Sequence, residues 1–257
     1  YHTVDLSLRG DAGANLTRDL FHFMKVGSAD GTEMWDISDL GARAEARMEL
    51  AYGYSRRIGD NVSVGARVKA LMGLARADVS METMNLKLNG EEWAVTAKGM
   101  ADFAGLLDVR TKGQTGSASD PAHKDLIDWN ALNVKSMEDI KKYMNNPSMG
   151  LAVDLGVSVD LIDYLTVSAS VLDLGFIGWK DVVSAATPQT AWSVKGFENM
   201  SLNGETDLSG QFESLKDDLL GAMNFIRNSE STGKNSSTLS ATAHLGIEAR
   251  MPFYERL

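Results

Sequence analysis

From Leu40 to Ser55 every even position is apolar or aromatic: Leu40, Ala42, Ala44, Ala46, Met48, Leu50, Tyr52 and Tyr54. The odd positions carry Arg43, Glu45, Arg47 and Glu49 among Gly41, Ala51, Gly53 and Ser55. Side chains alternate faces along a β-strand, so one face is a continuous apolar band and the other bears four charges. Few folds accept such a strand at this length.

The pattern recurs. Val62–Leu74 is apolar at its even positions against Ser63, Gly65, Arg67 and Lys69. Leu151–Leu161 alternates against Ala152, Asp154, Gly156, Ser158 and Asp160, and Leu165–Val171 against Thr166, Ser168 and Ser170. Leu239–Phe253 is apolar at odd positions against Thr242, His244, Gly246, Glu248 and Arg250, and Thr3–Arg9 reads as the end of a sixth strand. A soluble sandwich also alternates, but its strands are typically about 5 or 6 residues long. Membrane-crossing strands need about 9 to 11 residues, so length favours an antiparallel transmembrane β-barrel. Leu50, Val64, Leu155 and Leu245 then face lipid.

Connections and charge agree. Arg56–Asn61, Ile162–Tyr164 and Phe253–Arg256 are short turns that alternate strictly with long connections at about 10–38, 77–149 and 178–236. Short periplasmic turns and long extracellular loops are the habit of outer-membrane barrels. Tyr52, Tyr54, Tyr164, Phe253 and Tyr254 sit beside the turns as one aromatic girdle, with Phe176, Trp179 and Trp192 at the other end. Each long connection carries a net charge of −3, nearly all of the chain's −10. A net negative chain is a poor nucleic-acid binder, and no nucleic-acid partner is expected. With no cysteine there is no disulfide framework or thiolate metal site.

The long connections carry local structure of their own. Met84–Leu88 and Trp93–Ala97 flank Asn89-Gly90, a hairpin signal. Ser136 with Asp139 reads as a capping box opening a helix through Met144. Thr17–Val26 and the face formed by Phe212, Leu215, Leu219, Met223 and Ile226 read as two further helices.

The inward-facing set is Arg43, Glu45, Arg47, Glu49, Arg67, Lys69, Asp154, His244, Glu248 and Arg250. Pairing across the first turn brings Glu49 near Arg67 or Lys69, and Arg47 near Lys69 or Leu71. Opposed charges across a lumen serve either a polar conduit or a zipper that fills a closed barrel. Asp173 falls on the lipid-facing parity, where a carboxylate is costly. The expectation is therefore a bulge or strand end at Val171–Gly175, with Asp173 bonded to loop backbone. No nucleophile–base pair, phosphate loop or metal-ligand spacing is present, so no enzyme activity, cofactor or metal is expected.

Leu50–Gly73, Leu-Ala-Tyr-Gly-Tyr-Ser-Arg-Arg-Ile-Gly-Asp-Asn-Val-Ser-Val-Gly-Ala-Arg-Val-Lys-Ala-Leu-Met-Gly, resembles a hairpin of Bacteroidota outer-membrane barrels. Ser170–Lys180, with its core Asp173-Leu-Gly175-Phe-Ile-Gly-Trp179 at a loop or membrane interface, resembles a second block of the same proteins. With Leu16–Val26 these point to an uncharacterised family, domain of unknown function 5723. The resemblance extends to barrels of the fatty-acid-transporter type in general architecture, and supplies neither catalytic residues nor a substrate.

The expectation for residues 1–257 is thus one all-β domain, an outer-membrane barrel truncated at both ends. It has six crossings, edge strands not paired to each other, and long extracellular loops carrying short helices and a hairpin. A start at Tyr1 without methionine fits a mature form or an excised piece. Function reads as passage or binding of a solute, hydrophobic in the first instance. The competing reading is a non-transporting surface scaffold or adhesin whose loops engage a protein partner. Both are placed in the bacterial outer membrane, in contact with its lipid.

Overall fold

The computed structural model describes residues 1–26, 34–89, 92–119, 121–195, 224–228 and 233–250. In chain order the elements are β1 (His2–Asn15), α1 (Arg18–Val26), β2 (Met34–Asp36), β3 (Leu40–Ile58), β4 (Val62–Asn89) and β5 (Glu92–Gly105). Then follow β6 (Leu107–Asp108), α2 (Lys112–Thr115), β7 (Asn133–Val134), α3 (Met137–Asn145) and β8 (Ser148–Ile162). The chain continues through β9 (Leu165–Lys195), β10 (Ile226–Arg227), β11 (Gly233–Thr238) and β12 (Thr242–Ala249). All but β6 and β7 join one antiparallel sheet. Among the described residues no helix is long and apolar enough to cross a membrane.

The sheet runs β1–β3–β4 and then β9, with β8 between β4 and β9 at the turn end and β5 between them at the far end. Gly105 pairs with Ala75 of β4, and Ser148 with Gly73. β5 and β8 are therefore two halves of one position in the wall, interrupted by residues 106–147. Gly105 makes the exit with φ +77°, where a Cβ would run into the Leu74 carbonyl. That carbonyl accepts the Leu106 amide at 2.7 Å.

The charged face is concave. Arg9 of β1 reaches Asp173 of β9 at 3.8 Å, and Ser237 of β11 donates to Glu45 of β3 at 3.0 Å. These contacts join strands four positions apart, so the sheet curls around that face. The convex face carries rows of cross-strand apolar neighbours: Val4–Tyr52–Val68–Val153–Leu174, and Leu6–Leu50–Ala70–Leu151–Phe176. Their larger side chains are exposed, among them Leu6, Leu50, Leu151, Leu155, Phe176 and Leu245. From the Met48 row to the Ile58 row is about 33 Å of strand at about 3.3 Å per residue. At a tilt of about 45° that is about 23 Å of height, against about 25 Å for an outer-membrane apolar band.

Above that belt the same convex face is covered. Leu40, Val79, Met81, Leu86, Val95, Ala101 and Phe103 lie beneath Leu20, Val109, Ile127 and Phe225. Trp129 stands edge-on between Phe103 and Phe225, with ring centroids 5.8 and 5.5 Å away.

Several expectations need correction. Much of the long connections is strand: β4 continues to Asn89, β5 returns to Gly105 and β9 continues to Lys195. Extra residues hid this by shifting parity, at Leu74 opposite Ala46–Arg47, at Glu82 between β4 and β5, and at Leu172–Asp173. The first turn is tighter than expected, with Ile58 paired to Val62 around Gly59 at φ +65°. Glu49 thus opposes Leu71, and Arg47 opposes Gly73. The hairpin strands around residue 90 pair as expected, but as the tips of β4 and β5. Two helices match: α1, and α3, whose cap Ser136 accepts the Asp139 amide at 3.3 Å. The helix expected over Phe212–Ile226 lies outside the described residues except at its end, where Ile226 is in β10. The turn at Phe253–Arg256 also lies outside them. Among the described residues β1 pairs only with β3 and β12 only with β9, so no ladder among them closes the sheet.

Candidate lumen site

The bulge expected near Asp173 is present, and it does more than end a strand. Val153 pairs with Leu174 and Leu155 with Val171, leaving Leu172 and Asp173 opposite Asp154 alone. Asp173 takes φ 58°, a left-handed conformation that aspartate tolerates better than most residues. The extra residue resets the parity of β9: Val167 and Val171 face outward below it, Leu174 and Phe176 above it. Asp173 itself turns to the concave side. Its carboxylate accepts the Lys69 ammonium at 2.5 Å and meets Arg9 at 3.8 Å, while its amide donates to Asp154 at 2.8 Å. The expected bond from its carboxylate to loop backbone is replaced by these ion pairs, because the curl brings β1 and β4 within reach.

Around this knot the inner charges are buried and partnered. Lys69, 1% exposed, also meets Asp154 at 2.7 Å. Glu49, equally buried, accepts Arg47 Nε at 2.8 Å and meets Arg9 at 3.2 Å. Arg47 also binds Asp11 and lies 3.7 Å from Glu45, which pairs with Arg43 at 3.0 Å. Burying charge is tolerable only with such partners. Arg67 stands at the lower rim, 3.6 Å from Asp5.

Beside the charges the concave face turns apolar, with Leu71, Ala104, Ile177, Trp179, Val182 and Leu239. Trp179 is not in an outer girdle as expected but 1% exposed on the inner face, because the bulge reverses its parity. Its Nε1 donates to Ser237 at 2.8 Å, and Ser237 to Glu45 at 3.0 Å. Its ring fills the space over Gly73, where a Cβ would come within 2.6 Å of it. Gly175 lets β8 and β9 approach where any side chain would strike Leu151 and Ala152. The exposed Tyr52, Tyr54 and Tyr164 do lie on the surface near the turns. Trp192 has no described side chain.

Two cavities flank the filled zone. One of about 580 Å³ lies toward the turns and is lined by Thr3, Ser63, Arg67, Asp154, Ser168 and His244 among others. The other, about 680 Å³, lies among Asp11, Asn15, Arg43, Arg47, Asp78 and Ser240. His244 thus lines the lower cavity from the edge strand β12. Glu248 and Arg250 pair with each other at 3.0 Å and are exposed. Sequence reasoning missed Asp5, Arg9 and Asp11, although they alternate with Val4, Leu6 and Leu8, and it missed Ser237.

Away from the wall, Asp128 organises the segment between β6 and β7. It accepts the hydroxyls of Thr115 at 2.6 Å and Ser117 at 2.7 Å and the Asn130 amide at 3.2 Å. The two hydroxyl bonds, Thr115 first, hold its carboxyl below the ordinary range. Asp36 is lowered likewise by the Ser38 hydroxyl and amide. Among the described residues no group of three or more His, Asp or Glu side chains is arranged to hold a metal ion.

A family model described as "Family of unknown function (DUF5723)" matches residues 1–257. No curated protein and no solved structure matches the chain.

Proposed function

We propose that this chain, which belongs to the family of unknown function DUF5723, is a bacterial outer-membrane β-barrel protein that binds or passes a solute along its concave side. The observation that carries this reading is the inversion of burial: Lys69 and Glu49 are buried while Leu50, Leu151 and Phe176 are exposed. In water such an apolar belt is a liability. In a bilayer it is the required surface, and the belt's estimated height matches the hydrocarbon band. Cavities on both sides of the charge network support solute handling.

A second reading, a scaffold acting through its extracellular layer and a protein partner there, is favoured by the contacts that bridge the concave side. Arg9–Asp173 and Glu45–Ser237 fill the mid-height. Planar-bilayer recording of the refolded protein separates the two. The solute reading expects discrete conductance that rises when the bridges are cut in R9A/S237A. Silence in both wild type and that variant, with insertion verified, favours the scaffold.

A further inference from the structure

We infer that the turn-side cavity is a binding vestibule for a small, neutral, hydroxyl-rich solute, of the class of mono- and disaccharides. The inference rests on the barrel reading above and names its ligand chemistry, replacing the hydrophobic solute of the sequence-based expectation.

The vestibule wall is built in register. Ser63, Ser158 and Ser168 are successive cross-strand partners on β4, β8 and β9, ending at Gly246 of β12. In the next inner row Ser55, Gly65, Gly156, Ser170 and His244 follow one another from β3 to β12. Gly65 and Gly156 keep this row flat between Ser55 and Ser170, beside the line of Ser63, Ser158 and Ser168, so a ring can approach the backbone. Among the described residues the hydroxyls of Ser63, Ser158, Ser168 and Ser170 have no hydrogen-bond partner.

The ligand class follows from what the wall offers. Each serine both donates and accepts, which matches the hydroxyls of a sugar. A hydrophobic occupant would desolvate these groups and leave them unpaired. An ion would need an uncompensated charge, yet Lys69 is held by Asp154 and Asp173, and Arg67 faces Asp5. The cavity, about 580 Å³, lies in the range of about 300–1,000 Å³ usual for small-molecule sites.

The test is saturation-transfer NMR on the folded protein in detergent micelles, with sucrose and palmitate as probes. Variants S158A/S168A and G156L accompany wild type, and heat-shifted gel mobility confirms that each is folded. Sucrose should bind wild type, at least tenfold more weakly to S158A/S168A, and not at all to G156L. Binding unchanged in the folded double variant overturns the assignment. So does absence of sucrose binding to a wild type that inserts into liposomes, or palmitate binding that G156L abolishes. A folded wild type in which Leu50, Leu151 and Phe176 meet water rather than detergent, read by cross-relaxation to the micelle, overturns the barrel reading itself, a result separable from the sugar assignment.

Discussion

The Asp173 amide donates to the Asp154 carboxylate at 2.8 Å, so two acidic residues on neighbouring strands sit side by side, with Lys69 bonded to both. An extra residue in β9 creates this arrangement, and the charge on Lys69 makes it tolerable. Asp173→Asn keeps the left-handed backbone accessible but removes one countercharge. It should destabilise the folded state by about 1–3 kcal/mol, below the roughly 3–5 kcal/mol for wholly unpairing a buried charge, since Asp154 remains. Asp173→Ala should cost more, because alanine also resists φ 58°. Urea titration of the protein in liposomes, followed by tryptophan fluorescence, ranks the two. Equal costs would mean that the backbone conformation contributes nothing.

Gly73 and Trp179 should be energetically coupled. Gly73→Ala places a methyl group into the indole ring and should cost about 1–3 kcal/mol through overpacking. In a Trp179→Ala background the methyl has space, and the penalty should shrink to well under about 1 kcal/mol. A double-mutant cycle on the same urea titrations reads the coupling.

Charge on the convex face should be costly only within the belt. Leu155→Arg, in the row with Tyr54 and Ala66 near mid-belt, should cost about 2–4 kcal/mol in a lipid bilayer. Leu132→Arg, in the segment between β6 and β7, should stay within about 0.5 kcal/mol. Equal effects at both positions would argue that the belt meets water.

Acid should loosen the segment that Asp128 organises. Its carboxyl is held below the ordinary value by Thr115 and Ser117, so the stabilisation is complete above the unfolded-state value, about pH 4. It is lost as pH falls through the lower folded-state value. Backbone amides bonded within this segment, such as Asp128 N to Arg110 O at 2.9 Å, should exchange faster at pH 2 than at pH 7, after correction for intrinsic rates. In Asp128→Asn that pH dependence should largely vanish, as measured by hydrogen exchange with mass spectrometry.

The wall was legible wherever its two faces differ in solvent. Leu40–Ser55 and Leu151–Leu161 alternate because one side is apolar and the other bonded in polar networks. Legibility failed at the extra residues: Leu74, Glu82 and the insertion at Leu172–Asp173 each shift the period by one, so continuing strands read as loop. The inner charges on β3 and β4 were also legible, but their partners were not. Ser237 meets Glu45 across 192 positions of sequence, through a curl that no local pattern encodes. Asp5, Arg9 and Asp11 were within reach of the same alternation that marked Glu45 and Arg47.

The two halves of the wall position between β4 and β9 have an architectural consequence. Gly105 and Ser148 face Ala75 and Gly73, near neighbours on one strand, so residues 106–147 leave and re-enter the sheet at almost the same point. A short bridge from Gly105 to Ser148 would satisfy the ladder without them. The ladder's register is thus independent of the excursion's length, whereas the cover that Val109, Ile127 and Trp129 lay over the upper wall depends on the excursion's sequence.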